Sequence, residues 1–345
     1  MKAAVFYGPG DLRVTDIPRP TIAETELLVQ VAACAICGSD ARTFRHGARN
    51  ISRPVVLGHE VSGTVAEVGA AVSNFAVGQR VAIAPAIPCG ECRYCRCGAE
   101  TMCEALRSIG YEFDGGLAEF VAVPACAVRA GCVNRVPENV PLSDAAIAEP
   151  LACVLNAQEL TGVGENDTVV IIGAGPVGCL HASLARQRGA SRVIVVDIRP
   201  ERLEMARLLG PDVCIDGSRE DVQGRVLEET NGVGASVVIV AAPSQTAQEQ
   251  SVFLAARRGR INFFGGLPKS NPLISLDSNA VHYRELTIVG SYGSRPAHNR
   301  MALDLIASGR IRVHPLIGLE LPLDRVMDAL LAVEHGRVLK VVVRP

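Results

Sequence analysis

The sequence has no tryptophan, and aromatic residues make up only 4% of it. Proteins that bind single-stranded nucleic acid stack bases on aromatic side chains, so this composition argues against that class. The formal net charge is −2, and no basic or acidic run is concentrated enough to attract nucleic acid. No apolar run approaches the ~20 residues that a membrane-spanning helix needs. These absences argue against a nucleic-acid-binding protein and against a membrane protein.

The chain of 345 residues is long enough for two domains of the usual ~100–200 residues. Apolar residues make up 48% and charged residues 20%, so large buried cores can form. Twelve cysteines would suggest secretion in a short chain, but residues 1–6 are strand-like and lack the pattern of a signal peptide. We therefore expect a reducing, cytoplasmic compartment, with the thiols free or bound to metal.

The first 150 residues have a β pattern. They are rich in Val, Gly and Pro, and short apolar or alternating runs occur at residues 26–32, 61–68, 80–84 and 118–123. Turn signals such as Asp114-Gly115-Gly116 recur between these runs. Short strands separated by frequent turns predict a compact β barrel or sandwich.

From residue 151 the pattern changes to alternating strands and helices. Helical stretches are expected at residues 151–161, 176–189, 201–209 and 245–256. Apolar strands are expected at residues 168–172, 193–196, 237–240 and 260–264. This order is that of βαβ units and predicts a doubly wound parallel sheet, so the fold class is α/β plus β. A strand at 288–290, a helix at 299–308 and a strand at 340–343 follow.

Four cysteines are spaced C-x2-C-x2-C-x7-C, namely Cys89, Cys92, Cys95 and Cys103. Four thiolates within fifteen residues suit one tetrahedral zinc ion, which binds each sulfur at about 2.3 Å. The alternatives are a disulfide cluster or chance. Cys97 is a fifth cysteine in this lobe and could compete with Cys95 as a ligand.

A G-x-G-x-x-G motif follows the apolar strand at residues 168–172 and opens a helix; it comprises Gly173, Ala174, Gly175, Pro176, Val177 and Gly178. In this context the first glycine permits a tight turn and the second lets the backbone approach a pyrophosphate. The third lets helix and strand pack closely. The free N–H groups at the helix start face the phosphates. An α/β domain without a ligand is the alternative.

Asp197 ends the next strand, nineteen residues after the motif's last glycine. A carboxylate at this place accepts the ribose hydroxyls of NAD and repels a 2′-phosphate. Arg199 lies two residues further on and could weaken that preference. The placement of Asp197 favours NAD over NADP.

A second set of potential metal ligands is scattered along the chain. Cys37 lies in Cys-Gly-Ser-Asp, His59 and Glu60 in Gly-His-Glu, and Glu149 in Ala-Glu-Pro-Leu. One thiolate, one imidazole and carboxylates suit a catalytic zinc that keeps one position open. Each residue alone has an ordinary structural explanation. Together with the four-cysteine lobe and the glycine motif, they favour a metal site.

In combination, these motifs resemble the zinc-containing medium-chain dehydrogenases over the whole chain. Glu60 followed by Ala148-Glu149-Pro150-Leu151 is most similar to the polyol branch, which includes sorbitol (L-iditol) and galactitol-1-phosphate dehydrogenases. Threonine dehydrogenases rank second, since they usually carry Asp-Pro in place of Glu149-Pro150. The resemblance implies a GroES-like catalytic domain over 1–150 with 291–345, and a Rossmann domain over 151–290.

The resemblance also implies roles for individual residues. Cys37, His59 and Glu60 would hold the catalytic zinc, with Glu149 binding it directly or through water, while the four-cysteine lobe holds a structural zinc. Ser39 would be the first acceptor of a proton relay. In relatives a histidine three residues later often completes the relay. Here that residue is Arg42, which leaves Glu149 or the NAD ribose as the next step.

The resemblance implies an enzyme with two zinc ions per chain that transfers hydride between a secondary alcohol and NAD, giving the ketone. The substrate would be a polyol, sugar alcohol or cyclitol, with L-threonine or another amino alcohol or diol as the alternative. A non-catalytic NAD-binding protein is a more distant alternative, because the ligand set is complete. Relatives form homotetramers or homodimers, and we expect a homo-oligomer here.

Overall fold

The computed structural model describes residues 1–345 and contains two compact units. One unit comprises residues 1–152 and 293–345, and the other comprises residues 153–292. None of the helices combines the length and the apolar character that crossing a bilayer requires.

The first unit is built mainly of strands. Up to residue 152 these are β1 (Lys2–Gly8), β2 (Asp11–Asp16), β3 (Leu27–Ala35), β4 (Val55–Val56), β5 (Glu60–Val68), β6 (Arg80–Ile83), β7 (Ala86–Ile87), β8 (Arg107–Ser108), β9 (Phe120–Val123) and β10 (Val133–Arg135). Short helices lie between them or after them: α1 (Gly38–His46), α2 (Arg93–Arg96), α3 (Ala125–Arg129) and α4 (Leu142–Ala146). Helix α5 (Ala148–Thr161) begins in this unit and ends in the other.

The second unit alternates strands and helices. Its strands are β11 (Thr168–Ile172), β12 (Arg192–Asp197), β13 (Val213–Asp216), β14 (Ala235–Val240), β15 (Ala255–Phe263) and β16 (Thr287–Gly290). Its helices are α6 (Pro176–Gln187), α7 (Pro200–Arg207), α8 (Val222–Glu229), α9 (Gln245–Leu254) and α10 (Ser278–Tyr283). All strand pairs are parallel, in the order β13-β12-β11-β14-β15-β16, so the predicted parallel sheet is confirmed.

The C-terminal segment returns to the first unit as α11 (Pro296–Ala307), β17 (Ile317–Pro322), α12 (Val326–Glu334) and β18 (Lys340–Arg344). The last strand pairs antiparallel with β3, with Val342 opposite Ala35 and Val343 opposite Cys34. The main sheet of this unit therefore runs β10-β6-β5-β3-β18-β17, and β9 also pairs with β3. This pairing brings the end of the chain beside the start of α1.

Each unit has its own apolar core. In the first, the buried side chains of the β3–β5 pair include Leu27, Val29, Val61 and Val65. In the second, the strands are buried along nearly their whole length, as for Val169–Ile171 in β11, because helices cover both faces of a doubly wound sheet. Near-continuous apolar runs in residues 168–172, 193–196 and 237–240 reflect this double coverage.

Candidate metal and cofactor sites

Cys37, His59 and Glu60 are brought together by two neighbouring strands. Cys37 precedes α1 just after β3 ends, and the other two stand at the start of β5, which pairs with β3. One ligand atom from each lies within 4.8 Å of the others. Gly58 turns the chain here at φ +94°, and a Cβ on it would lie 2.6 Å from the Cys34 sulfur. A side chain at this position, directly before His59, would therefore clash with Cys34 and Leu117.

Asp40 fixes the orientation of two of these ligands. Its Oδ1 lies 3.0 Å from His59 Nδ1, and its Oδ2 accepts a hydrogen bond of 2.9 Å from the Cys37 backbone N–H. The carboxylate is almost completely buried, at 1% exposure. With a proton on Nδ1 directed at Asp40, the His59 Nε2 lone pair is free to bind a metal, and such carboxylate–histidine pairs orient metal ligands.

Two opposing effects act on the pKa of His59. Burial alone lowers it, but the charge of Asp40 and the hydrogen bonds to Asp40 and Cys37 outweigh burial and raise the pKa well above its ordinary value. The residues around His59 therefore favour a positive charge between Cys37 and Asp40. A proton can supply that positive charge, and so can a metal ion, because metal binding displaces protons from its ligands.

Glu60 is paired with a buried lysine. Lys340 Nζ donates to both Glu60 carboxylate oxygens, at 2.5 Å for Oε2, and to the Ile36 carbonyl at 3.1 Å. Glu60 is 0% exposed and Lys340 3% exposed. Burial lowers the pKa of Lys340, but attraction to Glu60, then Cys37, outweighs it and leaves the pKa raised. The Glu60 charge is thus balanced even without a metal.

The remaining predicted residues lie around this group. Glu149 is in the first turn of α5 and does not belong to the set of mutually close ligand atoms, although its charge acts on Lys340. Ser39 Oγ lies 3.5 Å from His59 Nε2. The Tyr111 ring lies 5.8 Å from the His59 ring, centroid to centroid. Arg42 is exposed on α1.

The four lobe cysteines also converge. All four sulfurs lie within 4.8 Å of one another; Cys92 Sγ is 3.5 Å from Cys95 Sγ, which is 3.9 Å from Cys89 Sγ. Four sulfurs bound at 2.3 Å to one tetrahedral centre are about 3.8 Å apart. Backbone N–H groups of Cys95 and Glu104 lower the pKa of Cys92 to about 6, which favours its thiolate. Cys97 instead donates to the Tyr94 carbonyl.

The chemistry of both donor sets fits zinc. The lobe offers four sulfurs and no further position, as structural zinc sites do. The second set offers one sulfur, one nitrogen and one carboxylate, and a zinc site of three protein ligands retains a fourth position for a substrate oxygen.

The glycine motif forms the turn between β11 and α6. Gly173 has φ +111°, and a Cβ on Gly178 would lie 1.7 Å from the Gly173 carbonyl oxygen, so helix and turn touch at this point. A Cβ on Gly175 would meet nothing within 4 Å. Gly175 is the N-cap of α6 and has no side chain that could occupy the free N–H groups of the helix, which begins with Pro176 and Val177. The helix start therefore presents open backbone, as a pyrophosphate requires.

Asp197 stands at the end of β12 beside this turn. Its Oδ2 accepts from the Ala174 N–H at 2.7 Å, and its Oδ1 accepts from the Arg199 N–H at 2.9 Å. These two bonds hold the carboxylate 7% exposed, next to the glycine turn. Each oxygen keeps a second lone pair, with which a carboxylate accepts ribose hydroxyls.

Sequence reasoning assigned no role to Asp40 or Lys340. A signal for Asp40 was available, because an acid three residues after a helix-capping position commonly bonds back to the cap. Lys340 carried no local signal, since it lies 280 residues from Glu60.

Comparison with known proteins adds independent information. The alcohol dehydrogenase GroES-like domain family matches residues 23–134, and the zinc-binding dehydrogenase family matches residues 176–308. Sorbitol dehydrogenase of Halalkalibacterium halodurans is 31% identical over 350 residues, covering 100% of this chain and 99% of the relative. D-arabitol-phosphate dehydrogenase of Enterococcus avium is 33% identical over 349 residues, covering 99% and 97%.

A solved structure gives the same result for the fold. A protein of Sinorhizobium meliloti 1021, described as a zinc-binding dehydrogenase bound to NADP, superimposes with a TM-score of 0.93 at 34% identity, covering 100% of this chain and 99% of that one.

Proposed function

The chain belongs to the zinc-type alcohol dehydrogenase family, and from that premise we propose that it oxidises a secondary hydroxyl of a polyol or polyol phosphate to the ketone, with NAD as hydride acceptor. The observation that carries this proposal is the convergence of Cys37, His59 and Glu60 beside Ser39. The similarity to a sorbitol dehydrogenase and to an arabitol-phosphate dehydrogenase supports a polyol substrate.

The residues of the site divide the chemistry among them. Zinc held by Cys37, His59 and Glu60 would supply Lewis-acid polarisation of the substrate hydroxyl. Asp40 keeps His59 in the tautomer that binds metal, and Lys340 balances Glu60. The Ser39 hydroxyl can accept the substrate proton while donating its own, because a hydroxyl both accepts and donates.

Beyond Ser39, we propose Tyr111 as the next group of the relay, because its ring lies 5.8 Å from the His59 ring and position 42 carries no histidine. Burial raises the pKa of Tyr111, so its hydroxyl remains protonated at neutral pH and would both accept and donate a proton in this relay. Glu149 lies outside the set of close ligand atoms and acts on the charge of Lys340, so in this proposal it would interact with zinc through a water rather than directly.

We assign the catalytic role to residues 1–152 with 293–345 and cofactor binding to residues 153–292.

Two zinc ions per chain, one in each donor set, are part of the proposal. A homo-oligomer is proposed through β16, which is one of the two edge strands of its sheet and carries unpaired backbone groups on one side. Five cysteines in metal donor sets rather than in disulfides favour a reducing, cytoplasmic location.

A substrate panel tests the function. Polyols, polyol phosphates, cyclitols and L-threonine are supplied to the zinc-loaded protein with NAD or with NADP, and reduced cofactor is measured. The proposal predicts the highest kcat/KM with a polyol or polyol phosphate and NAD. A higher kcat/KM with L-threonine than with every polyol contradicts it.

A further inference from the structure

The segment after β12 carries alternating charges at the place where a dinucleotide's adenosine ribose lies in this fold. Asp197 ends the strand, Arg199 caps α7, and Glu201 lies in the first turn of that helix. NADP differs from NAD by one 2′-phosphate on this ribose. Whether that phosphate is accepted depends on whether a guanidinium is available to bind it.

Arg199 is already engaged by a carboxylate. Its Nε donates to Glu201 Oε1 at 2.7 Å, and its Nη2 lies 2.7 Å from the same oxygen. Two donors of the guanidinium fork thus converge on one acceptor. These are the donors that an arginine uses to bind a phosphate in bidentate fashion.

Glu201 is itself held in position. A hydrogen bond from its own backbone N–H, followed by the bond from Arg199, lowers the pKa of Glu201, so the carboxylate is charged at neutral pH. A negative side chain in the first turn of a helix is also favoured by the helix dipole. The Arg199 side chain is one-third exposed, so a phosphate could reach it if Glu201 released it.

We propose that Glu201 determines the preference for NAD over NADP by occupying the Arg199 guanidinium, which would otherwise bind the 2′-phosphate. Asp197 repels the phosphate, and Glu201 binds the Arg199 guanidinium that would otherwise neutralise the phosphate charge. The charges of Asp197, Arg199 and Glu201 sum to −1, which disfavours a group carrying about −1.5 to −2 charges. This inference rests on the proposed use of NAD(P) by the chain.

The test uses two nucleotides that differ only in the 2′-phosphate, adenosine 2′,5′-bisphosphate and 5′-AMP, with calorimetric titration of the full-length protein. Glu201→Gln keeps the size of the side chain and removes its charge. We expect the affinity for the bisphosphate, relative to 5′-AMP, to rise about tenfold, because a charge-assisted pair becomes available. The ratio of kcat/KM for NADP to that for NAD should rise in parallel.

Two further variants separate the release of Arg199 from a general change in charge. Glu204→Gln removes the same charge from the same helix, where Glu204 pairs with Arg207 at 3.3 Å, and should leave the ratio unchanged. In Glu201→Gln/Arg199→Ala the gain should disappear. A ratio unchanged in Glu201→Gln, or a gain that persists in the double variant, overturns the inference alone. Failure of the wild-type protein to bind either nucleotide overturns the proposed cofactor and the inference together.

Discussion

At the scale of single residues, Lys340 balances the negative charge of Glu60, although the sequence around Lys340 gives no sign of this role. Its ammonium group and the Glu60 carboxylate are both buried, and each compensates the other. Breaking a buried pair by removing one partner costs about 3–5 kcal/mol, because the remaining charge has no solvent.

Lys340→Met should therefore destabilise the metal-free protein by about 3 kcal/mol in urea unfolding. Zinc-loaded protein should lose less, because a metal bound to Glu60 supplies the missing positive charge. Lys340→Met/Glu60→Gln is the matched control and should recover part of the loss. Equal losses in the single and double variants contradict this account of the pair.

Asp40 gives a second prediction at this scale. In Asp40→Asn the side-chain volume is kept, but the charge that orients His59 is lost. Zinc affinity at the Cys37 site should fall about 10–100-fold, the usual effect of removing such a partner. Competition with a chelator measures this affinity, and the lobe cysteines provide an internal reference that should not change. Unaltered affinity at both sites contradicts the orienting role.

The site residues that could be predicted are those that lie close together in the sequence or in a defined order of elements. The lobe cysteines lie within fifteen residues, and the glycine motif has a defined place between strand and helix. With Arg42 in place of a histidine, Glu149 or the NAD ribose was expected as the next step of the proton relay. The structure also places the Tyr111 ring 5.8 Å from the ring of His59, a residue far from it in sequence. Sequence spacing alone does not reveal such a contact.

At the scale of elements, the predicted strands and helices are confirmed where apolar residues form a continuous or regularly spaced run. Residues 168–172, 237–240 and 340–343 form strands, and 151–161 lies within helix α5. Helices α1 and α12 were not predicted. They are short, and they pack against each other with buried side chains such as Phe44 and Leu330, so tertiary packing rather than a local sequence pattern stabilises them.

The turn between β11 and α6 yields a paired prediction. Gly178→Ala places a Cβ against the Gly173 carbonyl, so it should lower stability by about 1–3 kcal/mol, as overpacking does. Gly175→Ala meets no neighbouring atom, so its thermal midpoint should be unchanged while dinucleotide affinity falls. Thermal unfolding and nucleotide titration of the two variants separate packing from binding. Wild-type nucleotide affinity in Gly175→Ala contradicts the assignment of this turn.

Helix α6 also makes the free energy of unfolding depend on pH, through the buried side chain of His181. Burial, then the charge of Arg188, lowers the pKa of this side chain to about 3, and its ring packs edge-on against Phe264 at 4.9 Å. The unfolded chain takes up a proton below its ordinary pKa of about 6.5, whereas the folded chain does not. Stability from this group is therefore complete above about pH 6.5 and is lost as the pH falls towards 3.

Between pH 7 and pH 4.5 the loss attributable to His181 should be about 3 kcal/mol. His181→Leu should have a flatter pH profile of unfolding free energy than the wild type. The exposed His282, changed to Gln, should leave the profile as it is. Parallel profiles for wild type and His181→Leu rule out this contribution.

At the scale of the whole molecule, the fold class and the family could be inferred from the order of motifs along the chain. Each motif alone has an ordinary structural explanation. Their order along the chain, at residues 37–60, 89–103, 149 and 173–197, is what matches the zinc-containing dehydrogenases. The pairing of β18 with β3, which brings Lys340 to Glu60, was not predictable in detail. Long-range pairing depends on the assembled sheet, and the sequence carries only the strand-forming tendency of its two partners.

We propose that the reactive metal lies at Cys37, His59 and Glu60 rather than in the cysteine lobe. Polyol-dependent NADH formation and zinc content are measured in Cys37→Ser beside the wild type. We expect the wild type to bind two zinc ions and to form NADH, and Cys37→Ser to remain folded, to keep the lobe zinc and to form no NADH. Full NADH formation by folded Cys37→Ser would show that the reactive metal is not held at this site.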